Sequence, residues 1–184
     1  MPFSQQSLWR FVVIRSNTYQ ACHRDYGAGC SMVWLTTAYI NQCSRDDMLA
    51  FILCHEISHG ICAHGKEKTK LRLSKAPAQE QEELSWKLEY EADEVGMRLC
   101  ARAGYNPYAA LLFFKLRLHH KKTSLPIGQN PHPSPAQPVA KLQSGVQEAI
   151  KEYEESNKQN TSIADWQKTK WESYWNPFHN YDLP

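Results

Sequence analysis

Residues 44–66 read SRDDMLAFILCHEISHGICAHGK. The stretch predicts one long helix. Ser44 and Asp47 give the S-x-x-D signature of a helix start, and Leu49, Ile52, Leu53, Ile57 and Ile61 recur at helical spacing behind it. Within this helix His55 and His59 stand four positions apart, with Glu56 beside the first. Positions i and i+4 share one helix face, so both imidazoles can reach a single metal ion. Glu56 is turned one position further round, where it meets a water at the metal rather than the metal itself. A zinc ion lowers the pKa of such a water to about 7, and a neighbouring carboxylate can take its proton as it attacks a carbonyl. The competing reading is a solvent-facing helix with two ordinary histidines. The three fixed letters recur by chance in roughly one chain of this length in fifty, so the motif needs support from elsewhere.

A hydrolytic zinc takes three protein ligands and leaves a fourth position open. Residues 79–103 predict a second helix, closed by Gly104, and carry the acids Glu89, Glu91 and Asp93. Glu89 and Asp93 are four apart and share a face with or near the small residues Ala92, Gly96, Cys100 and Ala103. Small residues let two helices approach closely enough for an acid on one to reach a metal held by the other. Glu91 is expected to point to solvent. His64 falls nine residues after His55, about 180° round the helix at about 100° per residue, and is expected to be structural. Cys54 and Cys62 flank the motif and are expected to pack rather than ligate.

These motifs, HEISH followed by His64 and then E-x-x-A-D at Glu89, Ala92 and Asp93, resemble the HtpX-like and CAAX-prenyl-endopeptidase family of zinc metallopeptidases. The mitochondrial inner-membrane branch of that family is the nearest. The resemblance runs over roughly residues 10 to 142 and takes in WKLEYEADEVGMRLCARAGYNP and His132-Pro133-Ser134. It implies a zincin-like, gluzincin-type core and one Zn2+ per chain, held by His55, His59 and Glu89. It further implies Glu56 as general base, Asp93 as the carboxylate orienting a ligand, and His132 near the reacting carbonyl. The implied substrate is polypeptide, from membrane-associated or misfolded proteins, and the implied location is the mitochondrial inner membrane or its periphery. Three departures stand out. Pro138 occupies a place where relatives carry Arg, Gln20-Ala21 replaces an Asn-Ala pair, and only 30 residues separate His59 from Glu89, where many relatives insert a long segment. A zinc-binding regulatory or interaction protein without catalysis is the alternative, which the intact Glu56 argues against.

Outward from the motifs, residues 9–15 and 31–37 read as strands, with CHRDYGAGC between them as a turn region around Gly27 and Gly29. Residues 65–78 are polar and read as a loop. Asn106-Pro107 starts a helix running to about residue 120. Five prolines, from Pro126 to Pro138, mark an extended segment, and a polar helix follows over 139–155. The tail carries Trp166, Trp171, Trp175 and Phe178, expected to dock on the body. The expectation is an α+β, mainly helical fold: a peptidase domain over 1–142, and a C-terminal helix and tail over 143–184 packed on it. The strand near Met32 to Thr36 is the expected edge for an extended substrate.

Composition narrows the classes. The chain has 184 residues, 42% of them apolar, enough for a core of its own. Its 21 basic and 19 acidic side chains leave a net charge of +2, which disfavours a nucleic-acid partner. Six cysteines without a C-x-x-C pair read as thiols rather than a disulfide framework. No apolar run approaches the roughly 20 residues of a membrane span, and the first residues lack a signal core. The expectation is either a membrane anchor outside this sequence or a member that works as a soluble or peripheral protein.

Overall fold

A computed structural model describes residues 8–114 and 139–159. The fold is α+β with helices predominating, as expected. Three strands come first: β1 (Leu8–Ile14), β2 (Ala21–Gly27) and β3 (Cys30–Thr36). The sheet order is β1-β3-β2, with β1 parallel and β2 antiparallel to β3. The segment expected to be a plain turn region is thus a strand and a tight hairpin. Gly27, Ala28 and Gly29 all take positive φ, and Asp25 Oδ1 accepts the Gly27 amide at 2.7 Å beside a register irregularity. Cys22-His23-Arg24-Asp25 lacks the apolar alternation that signals a strand, because pairing with β3 rather than burial holds it in place. Thr36, buried at the end of β3, fastens the chain entering β2. Its hydroxyl donates to the Thr18 carbonyl at 2.5 Å and accepts the Gln20 amide at 3.1 Å.

After a short helix α1 (Thr37–Gln42) comes α2 (Asp46–Ile61), the helix of the histidine motif. Its start is not the expected capping box. Arg45 is the N-cap and no side chain caps it. Asp47 instead pairs with Arg45 at 2.9 Å and accepts the Asn106 amide at 3.2 Å, tying the beginning of α2 to the turn after the long helix. The buried face of α2 also differs from the expected stripe. Met48, Phe51, Ile52, His55, Glu56 and His59 are buried, whereas Ile61 is 57% exposed. Apolar residues occur nearly all round this helix, so hydrophobicity alone could not orient it. Phe51 is fully buried and meets Phe113 and Phe114 edge-on, with centroids 5.4 and 5.8 Å away. Truncating such a residue to Ala costs about 3–5 kcal/mol.

The helix does not continue to residue 66. It stops at Cys62, whose amide bonds the Ser58 carbonyl, and Ala63 takes φ 56°, a left-handed turn. A new helix, α3 (His64–Leu73), fills what read as a loop. It is polar all round, so no apolar stripe announces it; its Lys, Glu, Arg and Leu content favours helix by propensity alone. The long helix α4 (Ala78–Arg102) matches expectation and packs along α2. Buried Ala92, Gly96 and Cys100 face α2; a Cβ at Gly96 would stand 3.0 Å from the His55 backbone. Ala103, expected on that face, is exposed at the helix end. Gly104 at φ 82° completes the stop: its amide bonds the Ala101 carbonyl and the Tyr105 amide bonds Cys100, a Schellman pattern. Asn106 starts the next helical turns by accepting the Tyr108 amide on its side chain at 2.8 Å. The helix α5 (Val139–Gln159) lies on α4 and lends Val146, Ala149 and Tyr153 to the same core. No described helix is long and apolar enough to cross a membrane.

Candidate metal centre

Close approach of α2 and α4 builds the site. Gly96 lets their backbones meet beside His55, and two turns earlier on α4, with Leu88 and Ala92 buried around it, Glu89 is pressed against the histidines with no exposure at all. His55 Nε2 and His59 Nε2 are 3.2 Å apart. Glu89 brings Oε2 to 3.5 Å from His55 Nε2 and Oε1 to 3.5 Å from His59 Nε2. Three donors thus converge in a buried triad that could hold one metal ion. Of the acids that the sequence offered on α4, Glu89 is the one aimed at both histidines.

The far ring nitrogens are also engaged. Asp93 Oδ1 lies 2.8 Å from His55 Nδ1, and both groups are buried. A carboxylate there favours the proton on Nδ1 and leaves Nε2 toward Glu89, the geometry that a ligand-orienting Asp93 would need. Burial by itself would lower the pKa of His55. The Asp93 carboxylate, followed by Glu89, more than offsets this and holds it up at about 9. A metal ion must therefore displace a proton at this nitrogen.

His64 does not stand on the far side of the motif helix, as its spacing implied. The break at Ala63 ends the geometric argument from helical spacing and swings His64 back to α2, where its Nδ1 lies 2.8 Å from His59 Nδ1. It is 1% exposed. His64 therefore does for His59 what Asp93 does for His55. Glu91, expected to be free in solvent, is exposed but stands 3.6 Å from His64 Nε2.

Glu56 is buried on the same helix and, with His59, His64 and Glu89, lines an open cleft of about 680 Å3. The opposite wall is β2, through Cys22, His23, Arg24 and Asp25, and the floor includes Lys68 of α3. Lys68 Nζ reaches Glu89 Oε1 at 3.5 Å, placing a cation beside the triad. Sequence reasoning passed over both walls because they fell in segments read as turn and loop. The order of the sheet also overturns the expected substrate edge. β3, including Met32 to Thr36, is the central strand and is paired on both sides, so it offers no edge. The strand bordering the cleft is β2, whose outer side no described strand pairs. Gly60 permits this wall to sit close, since a Cβ there would meet the Trp9 ring at 2.5 Å and His23 Nε2 at 2.7 Å.

His132, the Pro126–Pro138 segment and the aromatic tail lie outside the described residues. The cysteines Cys22, Cys30, Cys43, Cys54, Cys62 and Cys100 are free thiols, in line with expectation, though Cys100 alone is fully buried. Cys54 does not face the triad but hydrogen-bonds Cys100 on α4, which pushes the Cys100 thiol far up. Set beside known proteins, the chain matches no family model and no curated protein.

Proposed function

We propose that the chain is a zinc-dependent metalloendopeptidase with a zincin-like core, of the HtpX-like and CAAX-prenyl-endopeptidase kind. The observation that carries this is the buried triad of His55, His59 and Glu89, with donor separations of 3.2, 3.5 and 3.5 Å. Tetrahedral zinc with bonds of about 2.0–2.1 Å sets its donors about 3.3–3.4 Å apart; the two imidazole nitrogens, and each nitrogen with the Glu89 oxygen it faces, stand near that spacing, a different oxygen before each ring. Two imidazoles and one carboxylate, without thiolate, make the donor set of a hydrolytic rather than a structural zinc. When bound, zinc supplies a Lewis acid that polarises the scissile carbonyl and acidifies the attacking water.

The residues of the chain do the rest. Asp93 and His64 hold the two imidazoles with Nε2 toward the centre. Glu56, at the cleft wall, takes the proton of the attacking water and passes it to the leaving amine. β2 offers the side that no described strand pairs to an extended peptide, which fits unfolded or membrane-released segments better than folded domains.

Glu56→Gln tests the reading. It should retain about one zinc per chain while cleavage of an unfolded protein such as casein falls by a factor on the order of 10²–10⁴. Glu89→Ala should lose zinc and activity together. Chelation should stop the wild-type enzyme and zinc should restore it. A wild-type chain that binds zinc yet cleaves nothing across many unfolded substrates would leave a zinc-binding interaction protein as the answer.

A further inference from the structure

We propose a second cation site, built by Cys62, His64 and Glu91 where α2 gives way to α3, that takes a thiolate-seeking divalent ion such as Zn2+ or Co2+. One donor atom from each residue lies within 4.8 Å of the other two. His64 is 1% exposed, and its Nε2 is buried without a hydrogen-bond partner among the described residues, 3.6 Å from Glu91 Oε2. A buried ring nitrogen left in that state carries a cost that a ligand would relieve. Cys62 is half-buried and Glu91 exposed, so an ion can enter from solvent. One thiolate, one imidazole and one carboxylate suit a borderline ion rather than calcium or magnesium.

The site is coupled to the inner centre through a single proton, a consequence that rests on the triad proposed above. Between His59 Nδ1 and His64 Nδ1, 2.8 Å apart, there is room for one proton. An ion on His59 Nε2 requires that proton on His59 Nδ1. His64 then accepts it and carries its own proton on Nε2, facing the outer site. An ion on His64 Nε2 requires the reverse: His64 Nδ1 donates, and the proton of His59 moves to Nε2, where it blocks the triad. Filling the outer site therefore weakens the inner one, which is the behaviour of an inhibitory metal site.

Titration of the full chain with Co2+ reads the two sites apart. The inner centre gives visible ligand-field bands without thiolate. The outer site adds a thiolate-to-cobalt charge-transfer band in the near ultraviolet. In the wild type the charge-transfer band should grow only with a second, weaker equivalent. Cys62→Ser should abolish it, and Glu91→Gln should shift it to higher cobalt concentration, both retaining the first equivalent. Glu89→Gln, which disables the inner centre and leaves His59 in place, should tighten the outer site by roughly 5–150-fold. Absence of the band at every ratio, or its survival in Cys62→Ser, overturns the site. Unchanged outer affinity in Glu89→Gln overturns the coupling. None of these readouts involves proteolysis, so loss of the peptidase reading and loss of this one are separate outcomes.

Discussion

His55 is held from both sides of its ring, by Asp93 at Nδ1 and by Glu89 beside Nε2. Asp93→Asn keeps the size of the side chain and removes the charge that favours the Nδ1 proton. Metal affinity should fall by about 10–100-fold, measured by competition with a chromophoric chelator. The same environment sets a pH dependence. With its pKa held at about 9, metal-free His55 is protonated at neutral pH and that proton must leave for metal to bind. Apparent affinity should therefore fall as pH is lowered through about 9, by about tenfold per unit while one proton is displaced. An affinity flat between pH 9 and pH 7 would sink this account of His55. The i, i+4 histidines and Glu56 were readable from spacing alone. The position of His64 was not, because one left-handed residue, Ala63, replaced helical periodicity with a turn.

At the scale of elements, the contact of α2 with α4 decides whether the triad exists. Gly96 is the point of closest approach, 3.0 Å from a would-be Cβ to His55 Cα and N. Gly96→Ala gains about 1 kcal/mol of helix propensity. It should nonetheless lower stability, because overpacking against backbone costs about 1–3 kcal/mol. It should also weaken metal binding, because Glu89 moves with its helix. Thermal melting together with metal content checks both, and a melting point raised with full metal content would refute the close approach. The small residues on α4 announced this packing, and the two helices were legible as helices from their spacing and, for α4, from the glycine stop, although neither the cap nor the buried stripe expected for α2 is the one that forms. β2 and α3 were not, since each is polar: β2 is held by pairing with β3, and α3 has no apolar stripe to announce it.

On the scale of the whole molecule, α5 closes the core on the far side of α4 and a charged fork pins it. Arg98 Nε and Arg102 Nε each reach a different oxygen of Glu152 at 2.6 Å. Both arginines are largely exposed, so the fork is worth only about 0.5–1 kcal/mol. Glu152→Gln should lower stability by about that amount at neutral pH. Burial works against ionisation of Glu152, but the two guanidiniums outweigh it and hold its pKa below the ordinary value. The contribution is thus present above the unfolded value near 4.5 and is lost as pH falls through the lower folded one. Denaturant unfolding of wild type and variant should converge at acid pH, and a constant gap would contradict the fork.

Local chemistry in the sequence determined the helix that brings His55, Glu56 and His59 together, the stop at Gly104 and the α+β class, because these follow from spacing, turn residues and composition within a few turns of chain. Tertiary structure alone decided which acid joins the histidines, which strand borders the cleft, and where His64, Lys68 and Glu91 stand. Those depend on which backbone surfaces meet, here at Gly96 and Gly60, and on a sheet order in which the last strand in sequence becomes the middle one. Neither fact is encoded in the spacing of residues along the chain.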